Sequence, residues 1–297
     1  MDSLIFDQSR LFQYSLIYKK VKHVHAWSKR YQKNMPEMQK NTMEVIILGS
    51  GTCAPSIRRA GPCACLRAYG QTFMIDSAAG TLRQMARAGI PYDSIDTILY
   101  THFHPDHIGE FVPFIFATKY APGYRRSAPV MIFAAQGLKN FHNAMKMAFG
   151  NWVEPEEGRV IMEELSCETP AAIQSPPFII RSAPVKHTPQ SLAYRIECPN
   201  GKTAVFSGDT DLCKNIIDIA AGADILVCEC AAPEGEKVQG HLTPSEAGSI
   251  ANEAGVKTLV LTHFYPDCDK HDVTGPCRAI YKDGPIILAE DFMRVII

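Results

Sequence analysis

The sequence has no long hydrophobic run, no excess of one charge and no dense cysteine framework. No stretch approaches the roughly 18–20 consecutive apolar residues of a membrane-spanning helix, which excludes an integral helical membrane protein. The 297 residues carry 30 Lys and Arg against 31 Asp and Glu, so the surface as a whole is not a nucleic-acid footprint. A hydrophobic fraction of 46% and a charged fraction of 21% are typical of globular proteins and exclude a disordered or fibrous chain.

The ten cysteines lack the C-x-x-C spacing of a zinc knuckle. Cys63/Cys65 and Cys228/Cys230 are each spaced two apart within apolar stretches, so on a strand the two members of a pair share one face. This pattern favours buried small hydrophobic side chains. Thiols without an evident pairing scheme predict a reducing, cytoplasmic location.

Residues 1–43 differ in charge from the rest of the chain. They hold eight Lys and Arg against three Asp and Glu, a balance of +5, whereas the remainder carries -6. No uninterrupted apolar core follows the basic residues, so the segment is not a secretory signal. We interpret 1–43 as a basic, non-catalytic appendage, with an RNA-binding or membrane-touching arm as the alternative. Residues 44–297 are predicted to form the folded domain.

From Glu44 onward, short apolar runs alternate with stretches of helical spacing. Leu82, Met85 and Ala86 recur at helical spacing, and a second helix is predicted over 108–119. Thr243-Pro244-Ser245-Glu246 predicts a helix start, because it offers a cap, a first-turn proline and a back-reaching glutamate. Strands are predicted over 44–48, 64–69, 72–75, 96–100, 130–134, 178–184, 192–197, 203–206, 224–228, 258–261 and 285–288. The interleaving indicates an α/β fold.

Four candidate metal ligands fall within six residues directly after the predicted strand 96–100. They are His102, His104, Asp106 and His107, in the pattern H-x-H-x-D-H. Imidazole and carboxylate suit zinc, and also iron or manganese. Leaving the strand, the first two histidines alternate to the same side, and the turn carries the other two ligands to an adjacent position. One segment can therefore supply two neighbouring ions.

Three more candidate ligands follow predicted strands elsewhere in the chain: His187, Asp209 and His263. Each taken alone is explained by a hydrogen-bonded structural histidine or a turn aspartate. Four separate strand ends that all deliver ligands favour a shared metal site instead.

With these motifs, residues 44–297 resemble the metallo-β-lactamase superfamily of binuclear hydrolases. The resemblance rests, in the family's order, on Phe73-Met74-Ile75-Asp76-Ser77, His102–His107, His187, Ser207-Gly208-Asp209-Thr210 and Leu261-Thr262-His263-Phe264. It implies an α/β architecture, the αββα four-layer sandwich, with the ligands on loops at one edge. It also implies two metal ions, with Zn²⁺ as the default and Mn²⁺ or Fe²⁺ as alternatives.

The resemblance assigns a role to each candidate ligand. His102, His104 and His187 would bind one metal, Asp106, His107 and His263 the second, and Asp209 would bridge the two. Asp76 would be a supporting residue rather than a ligand. Two ions about 3.5–4 Å apart can share a water and clamp the attacked phosphoryl or acyl oxygen. A bridging hydroxide is then the expected nucleophile, and Asp106 is expected to orient it.

Glu229 and His241 resemble the additional glutamate and histidine of the ribonuclease Z-like phosphodiesterase branch. There the histidine binds or protonates at the scissile phosphate and the glutamate orients it. A carboxylate that holds an imidazole raises its pKa, which suits general-acid work. The alternative makes His241 only a residue that flanks the helix start. The turn Leu48-Gly49-Ser50-Gly51-Thr52 also resembles this branch. It is either a phosphate-binding turn or only a tight turn of the backbone.

The sequence departs from ribonuclease Z in one respect. Those enzymes often carry a protruding glycine- and proline-rich basic arm that grips transfer RNA, and no such insertion is evident over 111–180. We therefore expect a phosphodiesterase acting on a transfer RNA precursor or a smaller phosphodiester, with no membrane partner and with a homodimer allowed. The alternatives are a glyoxalase-II-like thioesterase, which leaves Glu229 and His241 unexplained, and a non-catalytic metal-stabilised RNA-binding protein.

Overall fold

The computed structural model describes residues 42–297, so the predicted appendage lies outside the described residues except for its last two positions. The described strands are β1 (Met43–Gly49), β2 (Cys63–Ala68), β3 (Gln71–Ile75), β4 (Thr97–Leu99), β5 (Val130–Ala135), β6 (Val160–Leu165), β7 (Ala171–Ser175), β8 (Phe178–Pro184), β9 (Leu192–Glu197), β10 (Thr203–Phe206), β11 (Ile225–Glu229), β12 (Leu259–Thr262), β13 (Ile286–Leu288) and β14 (Arg294–Ile296). The described α-helices are α1 (Thr81–Arg87), α2 (Pro105–Ile108), α3 (Phe111–Tyr120), α4 (Leu138–Phe149), α5 (Lys214–Ala220), α6 (Pro244–Ala254) and α7 (Thr274–Ile280). Short 3₁₀ turns lie at Tyr92–Ser94, Gly150–Val153 and Pro266–Lys270.

The strands form two mixed sheets of seven strands each within the described part of the chain. Their orders are β14-β1-β2-β3-β4-β5-β6 and β13-β12-β11-β10-β9-β8-β7. β3 to β6 are parallel in the first sheet, and β10 to β13 are parallel in the second. The carboxyl ends of these parallel strands carry the candidate ligands.

β1 shows why many strands read as continuous apolar runs. Met43, Val45 and Ile47 lie in the core between the two sheets, whereas Ile46 and Leu48 face the helices that cover the first sheet. A strand buried on both faces has no solvent side, so its sequence does not alternate with polar residues.

Helices cover the outer face of each sheet. Met85 of α1, Phe111 of α3 and Leu138 of α4 pack with the first sheet. Ile216 of α5 and Ile250 of α6 pack with the second. The layers therefore run helix, sheet, sheet, helix, and the predicted αββα sandwich is confirmed.

All ten cysteines lie among the described residues and are free thiols. Cys63 and Cys65 pack in the helix-facing core of the first sheet. Cys228 and Cys230 pack in the corresponding core of the second sheet. Both pairs are the buried small hydrophobic side chains that the sequence predicted. No helix in residues 42–297 is long and apolar enough to cross a membrane.

The predicted helix over 108–119 is wrong in its boundaries, because the structure breaks it into α2 and α3 at Gly109 and Glu110. The buried Glu110 carboxylate accepts hydrogen bonds from the backbone N–H groups of Gly80 at 2.8 Å and Leu82 at 3.1 Å. It thereby satisfies amides at the start of α1, which would otherwise lack partners. The predicted start of α6 is confirmed, since its capping box is present.

The sequence did not predict three of the described strands, β6, β7 and β14. Glu163 and Glu164 interrupt the apolar pattern of β6, and β7 is at most half-buried along its length. β14 is three residues long and pairs only along β1 among the described strands. Strands at sheet edges bury little apolar surface, so their sequences carry a weak signal.

Deleting residues 1–41 should leave turnover and the thermal midpoint unchanged. Met43 is fully buried and exchanges backbone hydrogen bonds with Ile297 at 3.2 and 2.9 Å, so we expect the folded domain to begin near this residue. As a control, Met43→Ala should lower the free energy of unfolding by about 2–5 kcal/mol. Enzyme assays and thermal unfolding are measured for the deletion variant and for Met43→Ala. A lower turnover rate in the deletion variant would show that residues 1–41 belong to the catalytic unit.

Candidate active site

The predicted ligands converge because the strands that precede them end at one edge. The segment 101–107 leaves β4, Asp209 follows β10, Glu229 ends β11 and His263 follows β12. β8, which precedes His187, runs in the direction of β10, since both are antiparallel to β9. In open α/β sheets, functional groups gather at the carboxyl ends of the strands.

The first cluster contains His102, His104, His187 and Asp209, each offering one ligand atom within 4.8 Å of the others. Nε2 of His187 lies 3.2 Å from Nδ1 of His104. Oδ2 of Asp209 lies 3.7 Å from Nε2 of His102 and 3.8 Å from Nε2 of His187. This is the set that the sequence predicted for one metal.

The second cluster contains Asp106, His107 and His263, again within 4.8 Å. Nε2 of His107 lies 3.3 Å from Nε2 of His263, and Oδ2 of Asp106 lies 3.8 Å from Nε2 of His263. Asp209 reaches this cluster too, at 3.2 Å from Nε2 of His107 and 3.3 Å from Nε2 of His263. One carboxylate therefore touches both clusters, as a bridging residue must.

Hydrogen bonds among the clustered side chains do not satisfy all of their ligand atoms, which leaves lone pairs for metal ions. Among the described residues, buried Nε2 of His102 has no hydrogen-bond partner. Burial, and then the neighbouring His107, lowers the pKa of His102, so this ring is neutral and offers a lone pair. Burial favours protonated Asp209, but His107 and His263 hold its pKa well below the ordinary value. Burial alone would lower the pKa of His107, but the Asp209 and Asp76 carboxylates outweigh burial and raise it, so a cation would have to displace its proton. Imidazole nitrogens around a carboxylate are a donor set for divalent cations, which bind in competition with protons.

Hydrogen bonds behind the clusters orient the rings. Asp76 accepts from Nδ1 of His107 at 2.7 Å and from the backbone N–H and hydroxyl of Thr101, both at 2.7 Å. Nδ1 of His187 donates to the carbonyl of Gly240 at 2.9 Å. These contacts direct the Nε2 atoms toward the clusters, as partners of ligating histidines do. Asp76 thus occupies the supporting position that the sequence predicted.

Glu229 and His241 form a buried pair beside both clusters, with the His241 ring centroid 4.8 Å from that of His187. Oε1 of Glu229 lies 3.0 Å from Nδ1 of His241, and the carboxylate also accepts from the amides of Thr210 and Leu242 at 2.8 and 3.1 Å. The His241 ring stacks on that of His263 at 5.6 Å with an interplanar angle of 16°. Burial alone would lower the pKa of His241, but the Glu229 carboxylate raises it, so a protonated imidazole is available beside the clusters.

His241 also shares a third grouping with Asp209 and His263, in which one ligand atom from each lies within 4.8 Å. Its position is therefore close enough for ligation as well as for proton transfer. The metal content of a His241 variant separates these two roles.

Sequence reasoning missed the network that holds the loop of His263. The buried Arg59 guanidinium donates to Asp269 at 2.7 Å and to the Ser50 hydroxyl at 2.8 Å, and it lies 4.7 Å from the Phe264 ring centroid. His263 has φ +61, a left-handed conformation that costs a non-glycine residue about 1–3 kcal/mol. Arg59 and Asp269 are 210 residues apart, so no local spacing reveals the pair.

Arg59→Met should weaken metal binding by about 10–100-fold, because the loop of His263 loses its support. It should also lower the free energy of unfolding by about 1.5–3 kcal/mol, since charge-assisted hydrogen bonds to the partly buried Asp269 are lost. Arg58→Met is the matched control, because Arg58 contacts the same Asp269 carboxylate at 3.2 Å from an exposed position. Chelator competition and denaturant unfolding measure the two effects, and wild-type metal affinity in Arg59→Met would contradict the positioning role.

Tyr265 lies next to His241, and the sequence did not identify it as a site residue. Its ring is half-buried, 6.3 Å from the His241 ring and at 85° to it. Its hydroxyl lies 3.9 Å from the thiol of exposed Cys53. Burial, then Cys53, raises the pKa of Tyr265 to about 12, so the phenol keeps its proton. Its only signal in the sequence is its place two residues after His263.

Comparisons with known proteins agree with this geometry. Residues 71–264 match a family model described as the beta-lactamase superfamily domain. Ribonuclease Z from Mycobacterium marinum is 30% identical over 278 residues, which cover 85% of this chain and 98% of that protein.

Two solved structures share the fold. The metallo-β-lactamase fold protein YhfI from Bacillus subtilis superposes with a TM-score of 0.74 at 20% identity, covering 86% of this chain and 100% of that one. The short form of human tRNase Z gives a TM-score of 0.68 at 22% identity, with 85% and 98% coverage.

The layered fold, the ligand clusters and the family match define a metal-dependent hydrolase of the β-lactamase superfamily, to which the chain belongs. Within that superfamily it belongs to the ribonuclease Z family, as its similarity to the mycobacterial protein shows. The predicted family and enzyme class are confirmed. The comparisons give no support to the thioesterase or to the non-catalytic RNA-binding alternative.

Proposed function

We propose that this enzyme hydrolyses a phosphodiester bond with two divalent ions, Zn²⁺ by default, and that its substrate is a transfer RNA precursor cut near its 3′ end. The observation that carries the proposal is the buried Glu229–His241 pair, placed beside a double cluster of metal ligands. A metal hydrolase needs such a pair when its leaving group requires a proton. The ribonuclease Z relative supports the choice of substrate.

The proposed ligand sets follow the two clusters. His102, His104 and His187 hold one ion, Asp106, His107 and His263 hold the other, and Asp209 is shared. Two ions held in this way supply an activated water and polarise the phosphoryl oxygen. Imidazole-rich ligand sets also accept Mn²⁺ or Fe²⁺, which makes these the alternatives to Zn²⁺.

The protein's own groups position the water and handle the protons. The Asp106 carboxylate is partly exposed at the open side, where it can accept a hydrogen bond from the attacking water. Glu229 binds Nδ1 of His241, so Nε2 is the nitrogen that remains for the substrate. Protonated His241 then donates to the leaving oxygen, and the ionised Glu229 stabilises the charged imidazole until that transfer.

The charge of the described domain bears on how strongly it can bind RNA. Helices, strands and their connections fill 111–180, where the sequence showed no basic arm. Arg126 pairs with Asp96 at 2.9 Å, while Arg125 is exposed on the same connection. With a balance of -6 over residues 44–297, strong and salt-sensitive RNA binding needs basic residues outside this domain or a local basic face within it. A smaller phosphodiester is therefore the competing substrate.

The ten free thiols support a reducing, cytoplasmic location.

A homodimer is supported by an exposed aromatic cluster on the helix layer of the first sheet, formed by Phe116, Tyr120 and Trp152. Their ring centroids lie 4.8 Å apart for Phe116 and Tyr120 and 5.3 Å apart for Tyr120 and Trp152. Exposed apolar clusters on soluble proteins commonly mark protein contacts. Sedimentation of the wild type and of Trp152→Glu tests this assembly, and a wild-type monomer would contradict it.

A parallel substrate screen tests the proposed activity. Zinc-loaded protein is assayed with a transfer RNA precursor bearing a 3′ trailer, with bis(4-nitrophenyl) phosphate and with a glutathione thioester. We expect cleavage of the precursor and of the aryl phosphodiester, and no thioester turnover above background. Cleavage of the small diester alone would replace transfer RNA by a small substrate. Thioester turnover without phosphodiester turnover would overturn the proposal.

A further inference from the structure

The half-buried Tyr265 ring lies beside the buried His241 ring, and hydrogen bonds anchor the Tyr265 residue. The Tyr265 backbone amide donates to the carbonyl of Ala231 at 3.1 Å, and its neighbour Phe264 donates to the carbonyl of Ser50 at 3.0 Å. The Tyr265 hydroxyl meets Cys53 on the loop that follows β1. Contacts at the backbone and at the hydroxyl therefore restrict where the ring can lie.

The two rings are set at a right angle. His241 stacks on His263, and Tyr265 stands at 85° to His241 with centroids 6.3 Å apart. Tyr265 is therefore one of three rings that flank His241, together with His187 at 4.8 Å and His263 at 5.6 Å, so a substrate group held at His241 lies near the Tyr265 ring. Because the hydroxyl is directed at Cys53, the aromatic face is the part of Tyr265 offered to that group.

We propose that Tyr265 is a stacking platform for the nucleobase attached to the leaving oxygen of the substrate. The inference rests on the proposed phosphodiesterase function. It concerns the base on the leaving side of the scissile bond, which the metal clusters do not contact. Every base has an aromatic face, so stacking tolerates any base and selects a nucleotide over a plain alcohol at this position. Tyr265 is thus a substrate-binding residue that sets specificity for the leaving group.

The test compares two variants with three substrates. Tyr265→Leu removes the aromatic face and keeps apolar bulk, whereas Tyr265→Phe keeps the face and removes the hydroxyl. The substrates are a dinucleotide with both bases and two matched compounds, each with one base replaced by hydrogen. The product that retains the phosphate identifies the leaving side. Metal content and thermal midpoint are measured for each variant to separate binding from misfolding.

We expect Tyr265→Leu to raise KM about 5- to 150-fold for substrates that carry the leaving-side base, with kcat changed less than about threefold. The same variant should match the wild type on the compound without that base, and Tyr265→Phe should match it on all three. Equal losses on all three substrates, or an equal loss in Tyr265→Phe, would overturn the stacking role alone. A wild type that cleaves none of them, and neither the transfer RNA precursor nor the aryl phosphodiester, would overturn the phosphodiesterase as well.

Discussion

Asp209→Ala is expected to abolish turnover and to remove most of the bound metal. Asp209 is the one described carboxylate within 4 Å of histidines from both clusters, so its loss takes a donor from each ion at once. Metal ions contribute several kcal/mol to the stabilisation of transition-state charge, which corresponds to a fall in kcat of about a thousandfold or more. Elemental analysis of the purified variant and steady-state kinetics measure the two effects.

The control for Asp209→Ala is Asp218→Ala. Asp218 is an exposed carboxylate on α5 that pairs with Lys214, so its removal changes the net charge equally but leaves the site intact. We expect this control to keep its metal and its turnover. An Asp209→Ala protein with wild-type metal content and rate would show that the clustered residues do not act together.

His241→Gln is expected to lower kcat by about 10²–10⁴-fold while the metal content stays at the wild-type level. The physical reason is that glutamine cannot supply the proton that the imidazole, held by Glu229, donates to the leaving oxygen. The fall should be smaller for an aryl leaving group such as 4-nitrophenolate, which leaves without a proton. Kinetics on aryl and alkyl phosphodiesters, with elemental analysis, measure this difference.

His142→Gln provides the matched control for His241→Gln. His142 lies on α4 and contacts the carbonyl of Val153 at 2.9 Å, away from the clusters, so we expect full activity. Unchanged activity in His241→Gln would remove His241 from the mechanism. Loss of metal in that variant would instead make His241 a ligand, the role that its grouping with Asp209 and His263 permits.

The candidate ligands could be picked out from the sequence because each follows a strand with a strong apolar signal. β4, β10 and β12 are short buried runs, so a histidine or aspartate placed soon after each is conspicuous in the sequence. The family resemblance then supplied the grouping of the ligands. Ligand positions encoded in local sequence were thus accessible before the structure.

The features that could not be predicted from the sequence depend on contacts between residues that are far apart in the chain. Arg59 meets Asp269 and Ser50 only in the folded state, and the role of Tyr265 depends on its angle to His241. The break at Glu110 likewise follows from its contact with the start of α1, 28 to 30 residues earlier. Periodicity reports the neighbours of a residue along the chain, whereas these features are set by neighbours across the fold.

The most direct test of the two-metal site is anomalous diffraction from crystals of the active, zinc-loaded protein, with data collected on both sides of the zinc edge. We expect two anomalous peaks, one among His102, His104 and His187 and the other among Asp106, His107 and His263, with Asp209 between them. A single peak, or peaks away from these residues, would contradict the shared site.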